Sequence, residues 1–452
     1  MSRNVPDKHA VDLSFRSALD RLRAAGRLES MPPGCSTEFE VSGLMKTKDG
    51  DKALVFPEVA GHDLPIVGNI LASERNCEAA FGTDRAGIRR LVSRGLAENL
   101  EPEVVSDGPV RQVKVFDDID LGSALPALTH APGDAGRYIT AGLVIARHPH
   151  TGVYNASYHR MQLIEGNRTA IQMDLGRHLR SAWEAARSNG DDLPIAVVIG
   201  PDLSLLYAAA VMGSQMPESK DELAAAGAMQ GSSLKVLKGL TQDVLVPANS
   251  EIALEGRISA TDAVHEGPFG EFVGYHSSAG LAPVVHFTAL TRRREAIYHA
   301  INGAGRETVM LRKHALETSA LGVLQSAVPI VKDVCMTAGG LHRFHLNVAV
   351  RKDSSAHDGL QRNAALAAFG ALKDLVRVVV VDDDIDIHSE VDVEYAIATR
   401  VDAAKDLVTI PGARGHEYIR VSDVGVGTKW LIDATVPFAE RDRFRRIAFR
   451  SC

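Results

Sequence analysis

Apolar positions near the start of the chain recur at helical spacing. Phe15, Leu19 and Leu22 share one face and Gly26 follows as a stop, which predicts a helix over 14–25. Ile88, Leu91, Val92 and Leu96 predict another over 83–98, and the apolar runs 53–56 and 64–68 between them read as strands. Residues 102–115 read as extended and open a second region. From about Tyr138 the pattern turns to short apolar runs. Residues 139–146 are β-compatible, and 161–164 and 169–173 flank Glu165-Gly166-Asn167, a hairpin turn signal. Leu179, Ala182, Trp183 and Ala186 mark a helix that stops at Asn189-Gly190. A short apolar strand follows at 195–199, then a buried helix over 203–212. Further strands are expected at 234–237, 244–247, 252–255 and 284–289. This section reads as α+β with a barrel-like sheet. Residues 307–325 have helical composition with few breakers and can join two domains. From Ile330 the chain reads as a separate α/β unit, with strands at 331–336, 345–350 and 378–381 and helices at 364–375 and from 392 to 399. The basic tail, with Arg441, Arg443, Arg445 and Arg446, reads either as a docking segment for a partner subunit or as a solvated end.

One stretch breaks both periods. His265-Glu266-Gly267-Pro268-Phe269-Gly270-Glu271-Phe272 places two glycines and a proline between two glutamates. It fits neither a helix interior nor a central strand, where Pro268 has no amide hydrogen to give. A stiff, kinked loop remains, with Glu266 and Glu271 at its ends. Such a loop can aim two carboxylates at one point for proton transfer; it can equally be a surface turn with two solvated glutamates.

Composition narrows the classes. A chain of 452 residues suits two or three domains, and 45% hydrophobic with 24% charged residues is an ordinary globular balance. The net charge of −7 gives no attraction to nucleic acid. Cys35, Cys77, Cys335 and Cys452 lie far apart, which excludes a Cys-x-x-Cys motif and argues for a reducing compartment. The polar stretch over 1–13 lacks the apolar core of a signal peptide, and no run of about 18 apolar residues predicts a membrane helix. The expectation is a cytoplasmic protein with no nucleic-acid or membrane partner.

Other chemistry-bearing residues are individually ambiguous. Asn155 can offer a carbonyl oxygen to a hard cation and Arg160 can hold an anion, or both can be turn residues. His178, beside Arg177 at a predicted helix start, suits a bound anion or a simple cap. Asp382-Asp383-Asp384-Ile385-Asp386 can bind Mg²⁺ or Mn²⁺, although a solvated strand end is the preferred reading. Asn302 and Arg306 can contact a polar substrate or be ordinary loop residues.

Together the motifs resemble a known family. Asn155-x-Ser157-x-x-Arg160, then His178, then Val246-Pro247-Ala248-Asn249-Ser250-Glu251-Ile252-x-Leu254-Glu255-Gly256, then Glu266-Gly267-Pro268-Phe269-Gly270-Glu271 follow the order of the UbiD decarboxylases. The acidic run 382–386, Ala396-Ile397-Ala398-Thr399-Arg400 and Ile410-Pro411-Gly412-Ala413-Arg414-Gly415 look like the family's C-terminal signatures. The resemblance runs from about residue 40 to about 436.

The resemblance implies an α+β fold with an N-terminal α/β region (1–115), a split β-barrel flavin-binding domain (116–306), a linking helix (307–328) and a C-terminal α/β oligomerisation domain (329–452). It implies prenylated FMN, made by a separate prenyltransferase and anchored through Mn²⁺ or Mg²⁺ with K⁺ nearby. By matching, Asn155 and His178 are metal ligands. Ser157, Arg160, Arg177 and Lys429 join them in holding the cofactor, and Arg160, Glu266 and Glu271 form the acid–base network. One departure stands out: Ser232 occupies the place where a third metal ligand, a glutamate, is expected. Water can fill that place, another acid such as Glu222 can reach it, or metal dependence is reduced. The implied reaction is reversible release of CO₂ from an aromatic or heteroaromatic acid, with Glu271 as proton donor, in a homo-oligomer. The competing readings are a hydroxybenzoate decarboxylase of the same family, a plain-FMN oxidoreductase and an inactive assembly subunit. The oxidoreductase finds no Gly-x-Gly-x-x-Gly support.

Overall fold

The computed structural model describes residues 11–211, 215–422 and 425–447. The chain divides into two compact units, 1–312 and 313–452. The first unit is built on a nine-stranded antiparallel sheet. Its path runs Tyr138–Ile139, Met161–Leu163, Arg168–Ile171, Gly280–Arg292, Ile252–Glu266, Leu193–Ile199, Leu143–Arg147, Tyr154–Tyr158, with Val113–Val115 paired beside Gly280–Arg292. Among the described residues the two end strands, Tyr138–Ile139 and Tyr154–Tyr158, do not pair with each other.

The two longest strands, Ile252–Glu266 and Gly280–Arg292, pair with register shifts after Glu255 and after Ile258. Bulges of this kind bend and twist a strand pair. The first needs a glycine, because a Cβ at Gly256 would lie 2.3 Å from the His286 carbonyl oxygen. The bent pair ends at Glu266, so the sheet itself carries the start of the kinked loop. Val144, Ile195, Val197, Leu254, Val285 and Phe287 form the core with Leu179, Trp183 and Ala186 of the helix His178–Ser188. Trp183 also donates its indole N–H to the Ser259 carbonyl at 3.0 Å, which ties this helix to the sheet.

The N-terminal expectations hold at the helix Phe15–Ala24, capped by Ser14, and at Arg85–Ala97, where Asp84 accepts from the Gly87 amide at 2.7 Å. Ala53–Phe56 and Ile66–Gly68 join Leu28–Ser30 and Tyr298–Ala300 in a small sheet. The segment 102–115 is less extended than expected: a 3₁₀ turn at Pro109–Arg111 separates Glu103–Val104 from Val113–Val115. The buried helix expected over 203–212 spans Leu203–Ala208, and Met212 lies outside the described residues. Among the described residues no helix is long and apolar enough to cross a membrane.

The helix Arg306–Ala327 contains the division between the units. The second unit holds a five-stranded mixed sheet in the order Val331–Met336, His345–Val350, Arg377–Asp382, Val426–Ala434, Leu407–Arg414. Its helices include Leu360–Ala371 and Glu390–Arg400. The acidic run is a partly solvated strand end, as expected: Asp383, Asp384 and Asp386 are exposed, while Asp382 is buried and ion-paired. Arg400 grips Asp384 with bonds of 2.9 and 2.6 Å and lies 3.4 Å from Asp382, which also accepts from the Val436 amide. In the basic tail, Arg446 bonds Asp392 at 2.7 Å and stacks on Tyr395, while Arg443 and Arg445 are exposed.

Candidate active site

Arg160, Glu266 and Glu271 meet in the first unit. Arg160 stands two residues past the strand Tyr154–Tyr158, and Glu266 closes the strand Ile252–Glu266. Its guanidinium donates to both Glu266 oxygens at 2.8 and 2.9 Å, and to Glu271 as well. The same group lies 3.2 Å from Ser277 Oγ and 5.3 Å from the centre of the Phe269 ring. Glu266 is almost fully buried, whereas 16% of the Glu271 side chain is exposed. The carboxylates are therefore not solvated turn residues: one cation bridges both.

The loop between them is pinned from several sides. Gln162 Oε1 accepts from the Gly267 amide at 3.1 Å and from the Tyr138 hydroxyl at 3.2 Å. Burial, and then the Glu266 carboxylate, push the Tyr138 phenol well above its ordinary value, so it stays a neutral donor. Asp134 accepts from the Gly270 amide at 2.9 Å, and Ser277 Oγ accepts from the Phe269 amide at 3.2 Å. Below the loop, a Cβ on Gly303 would lie 2.1 Å from the Gly270 carbonyl oxygen, so that position has no room for a side chain. Sequence reasoning missed Asp134, Gln162 and Ser277. Only Ser277 lies near the motif in the chain.

A second cluster gathers Asn155, His178 and Glu222. Asn155 Nδ2 donates to Glu222 Oε1 at 3.1 Å, the Ala156 amide donates to Oε2 at 3.1 Å, and His178 Nδ1 lies 3.9 Å from Oε1. Burial raises the Glu222 carboxyl to about 8 and lowers His178. Among the described residues no lysine or arginine pairs with Glu222. Ser157 Oγ bonds Asn155 Oδ1 at 2.9 Å and His159 Nε2 at 3.0 Å. Arg177 is the N-cap of the His178–Ser188 helix and its side chain makes no capping bond, which leaves first-turn amides for an anion.

Ser232 does not belong to this cluster, which corrects the expectation. Glu222 begins the nine-residue helix Glu222–Gln230, and Ser232 follows the Gly231 cap at its other end. At 1.5 Å per residue the two ends stand about 12 Å apart. Ser232 is exposed there, its carbonyl taken by Gln230 at 3.0 Å. Of the three ways to complete the site, the structure brings Glu222 to it.

The remaining candidates are more scattered. Asn302 is buried and gives its amide to the Ser42 carbonyl at 2.9 Å, while its Oδ1 finds no partner among the described residues. Arg306 is exposed at the start of its helix and lies over Gly50, with no bond to the acid cluster. Lys429 belongs to the second unit, where its ammonium donates to the Lys373 carbonyl at 2.7 Å over the Phe369 ring. Among the described residues no three His, Cys, Asp or Glu side chains gather to hold a metal, so any ion at Glu222 and His178 needs the Asn155 carbonyl and further oxygens.

Comparison with known proteins agrees with this arrangement. Residues 19–94, 103–306 and 310–434 match the N-terminal, Rift-related and C-terminal domains of 3-octaprenyl-4-hydroxybenzoate carboxy-lyase. The chain is 34% identical over 435 residues to an anhydromevalonate phosphate decarboxylase of Methanosarcina mazei, covering 96% of this chain and 99% of the relative. It is 31% identical over 431 residues to a gallate decarboxylase of Lactiplantibacillus plantarum, covering 89% and 87%. The UbiD-class enzyme HmfF of Pelotomaculum thermopropionicum, in complex with FMN, superposes with a TM-score of 0.92 at 36% identity, covering 96% and 97%. An evolved dimeric form of that enzyme, in complex with prFMN, gives 0.88 at 34% over the same shares. With both acid-bearing ends of the kinked loop on one arginine, and with relatives matched along nearly the whole length, the chain belongs to the UbiD family of carboxy-lyases.

Proposed function

We propose that this enzyme releases CO₂ reversibly from a small heteroaromatic acid, of the pyrrole, furan or indole carboxylate type, with prenylated FMN bound beside Arg160, Glu266 and Glu271. The observation that carries the reading is one guanidinium joined to two acids at the ends of one kinked loop. The cofactor, supplied by a separate flavin prenyltransferase, contributes an electron sink for the pair left behind when CO₂ departs. Support for its presence here is the prFMN held by the evolved HmfF.

The chain's own residues handle the proton. One guanidinium balances one carboxylate, so the three groups together accommodate one further proton. Glu271 is the more exposed acid and delivers that proton to the carbon that lost CO₂. Arg160 holds Glu266 by two bonds and fixes the direction from which Glu271 approaches. With CO₂ in excess the same acid, deprotonated, runs the step backwards.

The second cluster fits a divalent cation, Mn²⁺ or Mg²⁺. Among the described residues Glu222 is a buried acid with no lysine or arginine partner, met by the Asn155 amide NH₂ and 3.9 Å from the His178 imidazole. A cation there would supply the missing positive charge. The uncapped first turn at His178 suits the phosphate of the cofactor, whose oxygens would complete the coordination. A homo-oligomer, at least a dimer, is part of the same reading and is supported by the dimeric HmfF form.

Two other substrate classes draw support from the relatives: hydroxybenzoates from the gallate decarboxylase, and a phosphorylated unsaturated acid from the anhydromevalonate phosphate decarboxylase. A panel of pyrrole-2-carboxylate, furan-2-carboxylate, indole-3-carboxylate, gallate and anhydromevalonate phosphate separates them. The protein co-produced with a flavin prenyltransferase is expected to consume a heteroaromatic acid fastest, read by chromatography and CO₂ release. Turnover of gallate or of the phosphorylated acid alone would overturn the heteroaromatic assignment.

A further inference from the structure

We infer that Ser277 is a positioning residue for the proton-transfer site, one hydroxyl that fixes both the loop backbone and the Arg160 guanidinium; this rests on the decarboxylase reading above. Pro268 gives the loop no amide hydrogen, so the loop has one donor fewer with which to anchor itself. Among the described residues the next amide, that of Phe269, finds no backbone carbonyl. It donates to Ser277 Oγ at 3.2 Å, while the Ser277 amide returns a bond to the Phe269 carbonyl at 2.8 Å. The side chain thus replaces a carbonyl as acceptor and closes the pair that holds the loop shut.

The same oxygen accepts from Arg160 Nη2 at 3.2 Å. A hydroxyl has two lone pairs, and Ser277 gives one to the loop and one to the guanidinium. Arg160 in turn grips Glu266, reaches Glu271, and lies over the ring of Phe269, whose amide Ser277 holds. Asp134, from the irregular stretch 131–137, and Gln162, from the strand Met161–Leu163, pin Gly270 and Gly267. Ser277 ties the loop to the guanidinium itself. Without the hydroxyl, the Phe269 amide loses its acceptor and Arg160 loses the contact that sets its angle about the Glu266 bonds. Glu271 then no longer approaches the substrate carbon from a fixed direction.

The test compares Ser277→Ala and Ser277→Thr with wild type as cofactor-loaded full chains. Steady-state kinetics on the acid the wild type accepts are read beside amide hydrogen exchange, by mass spectrometry, of peptides spanning 264–279. Ser277→Ala is expected to lower kcat about tenfold to a hundredfold, the cost of a displaced catalytic group, with KM changed less than about twofold. Exchange over 267–271 is expected to quicken about tenfold, consistent with the lost anchor. Ser277→Thr, which keeps the hydroxyl, restores both. Unchanged kcat in Ser277→Ala overturns the inference even if exchange quickens, because the hydroxyl is then only structural. Unchanged exchange overturns it whether or not the protein turns over any acid. If the wild type consumes none of the acids, the decarboxylase reading fails, while quickened exchange rescued by threonine still sustains the hydroxyl's hold on the loop.

Discussion

Replacing Glu271 with Gln is expected to abolish measurable turnover and leave the cofactor bound. Glutamine keeps the size of the side chain and can still meet Arg160, but it has no proton to deliver to the carbon that loses CO₂. The loop is held by Gln162, Asp134 and Ser277, none of which depends on the Glu271 carboxyl, so the fold and the cofactor site survive. A lost general acid costs typically 10²–10⁴-fold, and with Glu266 held by two bonds to Arg160 the loss is expected at about the upper end. The check is kcat with the flavin absorbance measured on the same sample. Turnover within about tenfold of wild type would refute the assignment of Glu271. Loss of flavin together with activity would show that the acid serves binding instead.

If a divalent metal sits at Glu222 as proposed, Glu222→Gln is expected to remove it and weaken cofactor retention, whereas Ser232→Ala is expected to leave both unchanged. Glu222 is the acid that meets both Asn155 and His178 among the described residues, and a bound cation would hold it ionised. Losing it takes away the Coulombic attraction that draws a cation into a buried site. Partners one step removed from a metal are worth about 10–100-fold in affinity, so a direct ligand is worth on the order of a hundredfold or more. Elemental analysis of the purified variants and flavin content after dialysis read the two effects. Full metal in Glu222→Gln, or loss of metal in Ser232→Ala, would return the third ligand to the position the sequence suggested.

The contrast between Glu222 and Ser232 shows what a sequence makes visible. Ser232 was selected by its place in a linear order of motifs, before the strand Lys235–Lys238. Glu222 reaches Asn155 across 67 residues, and only folding brings the two together. Its helix was also hidden from periodicity: every residue of Glu222–Gln230 but the last is buried, so no polar face alternates with an apolar one. By contrast, the helix His178–Ser188 buries one face, and the Met161–Leu163 and Arg168–Ile171 hairpin turns at Gly166, so ordinary patterning found them. The strand Ile252–Glu266 was legible only at its start. Beyond Ala260 its residues Thr261, Asp262 and Ala263 are exposed, and the apolar run that signals a buried strand stops there. The acid pair was legible because glycine and proline leave the 266–271 stretch few conformations. The groups that hold that stretch, Asp134 and Gln162, lie more than a hundred residues away and carried no local signal.

The most direct test of the account is native mass spectrometry, with an absorbance spectrum, of the full chain co-produced with a flavin prenyltransferase. The account predicts a mass increment equal to prenylated FMN plus one divalent metal ion per chain, with a flavin absorbance band. A folded protein that carries no flavin under these conditions would contradict it.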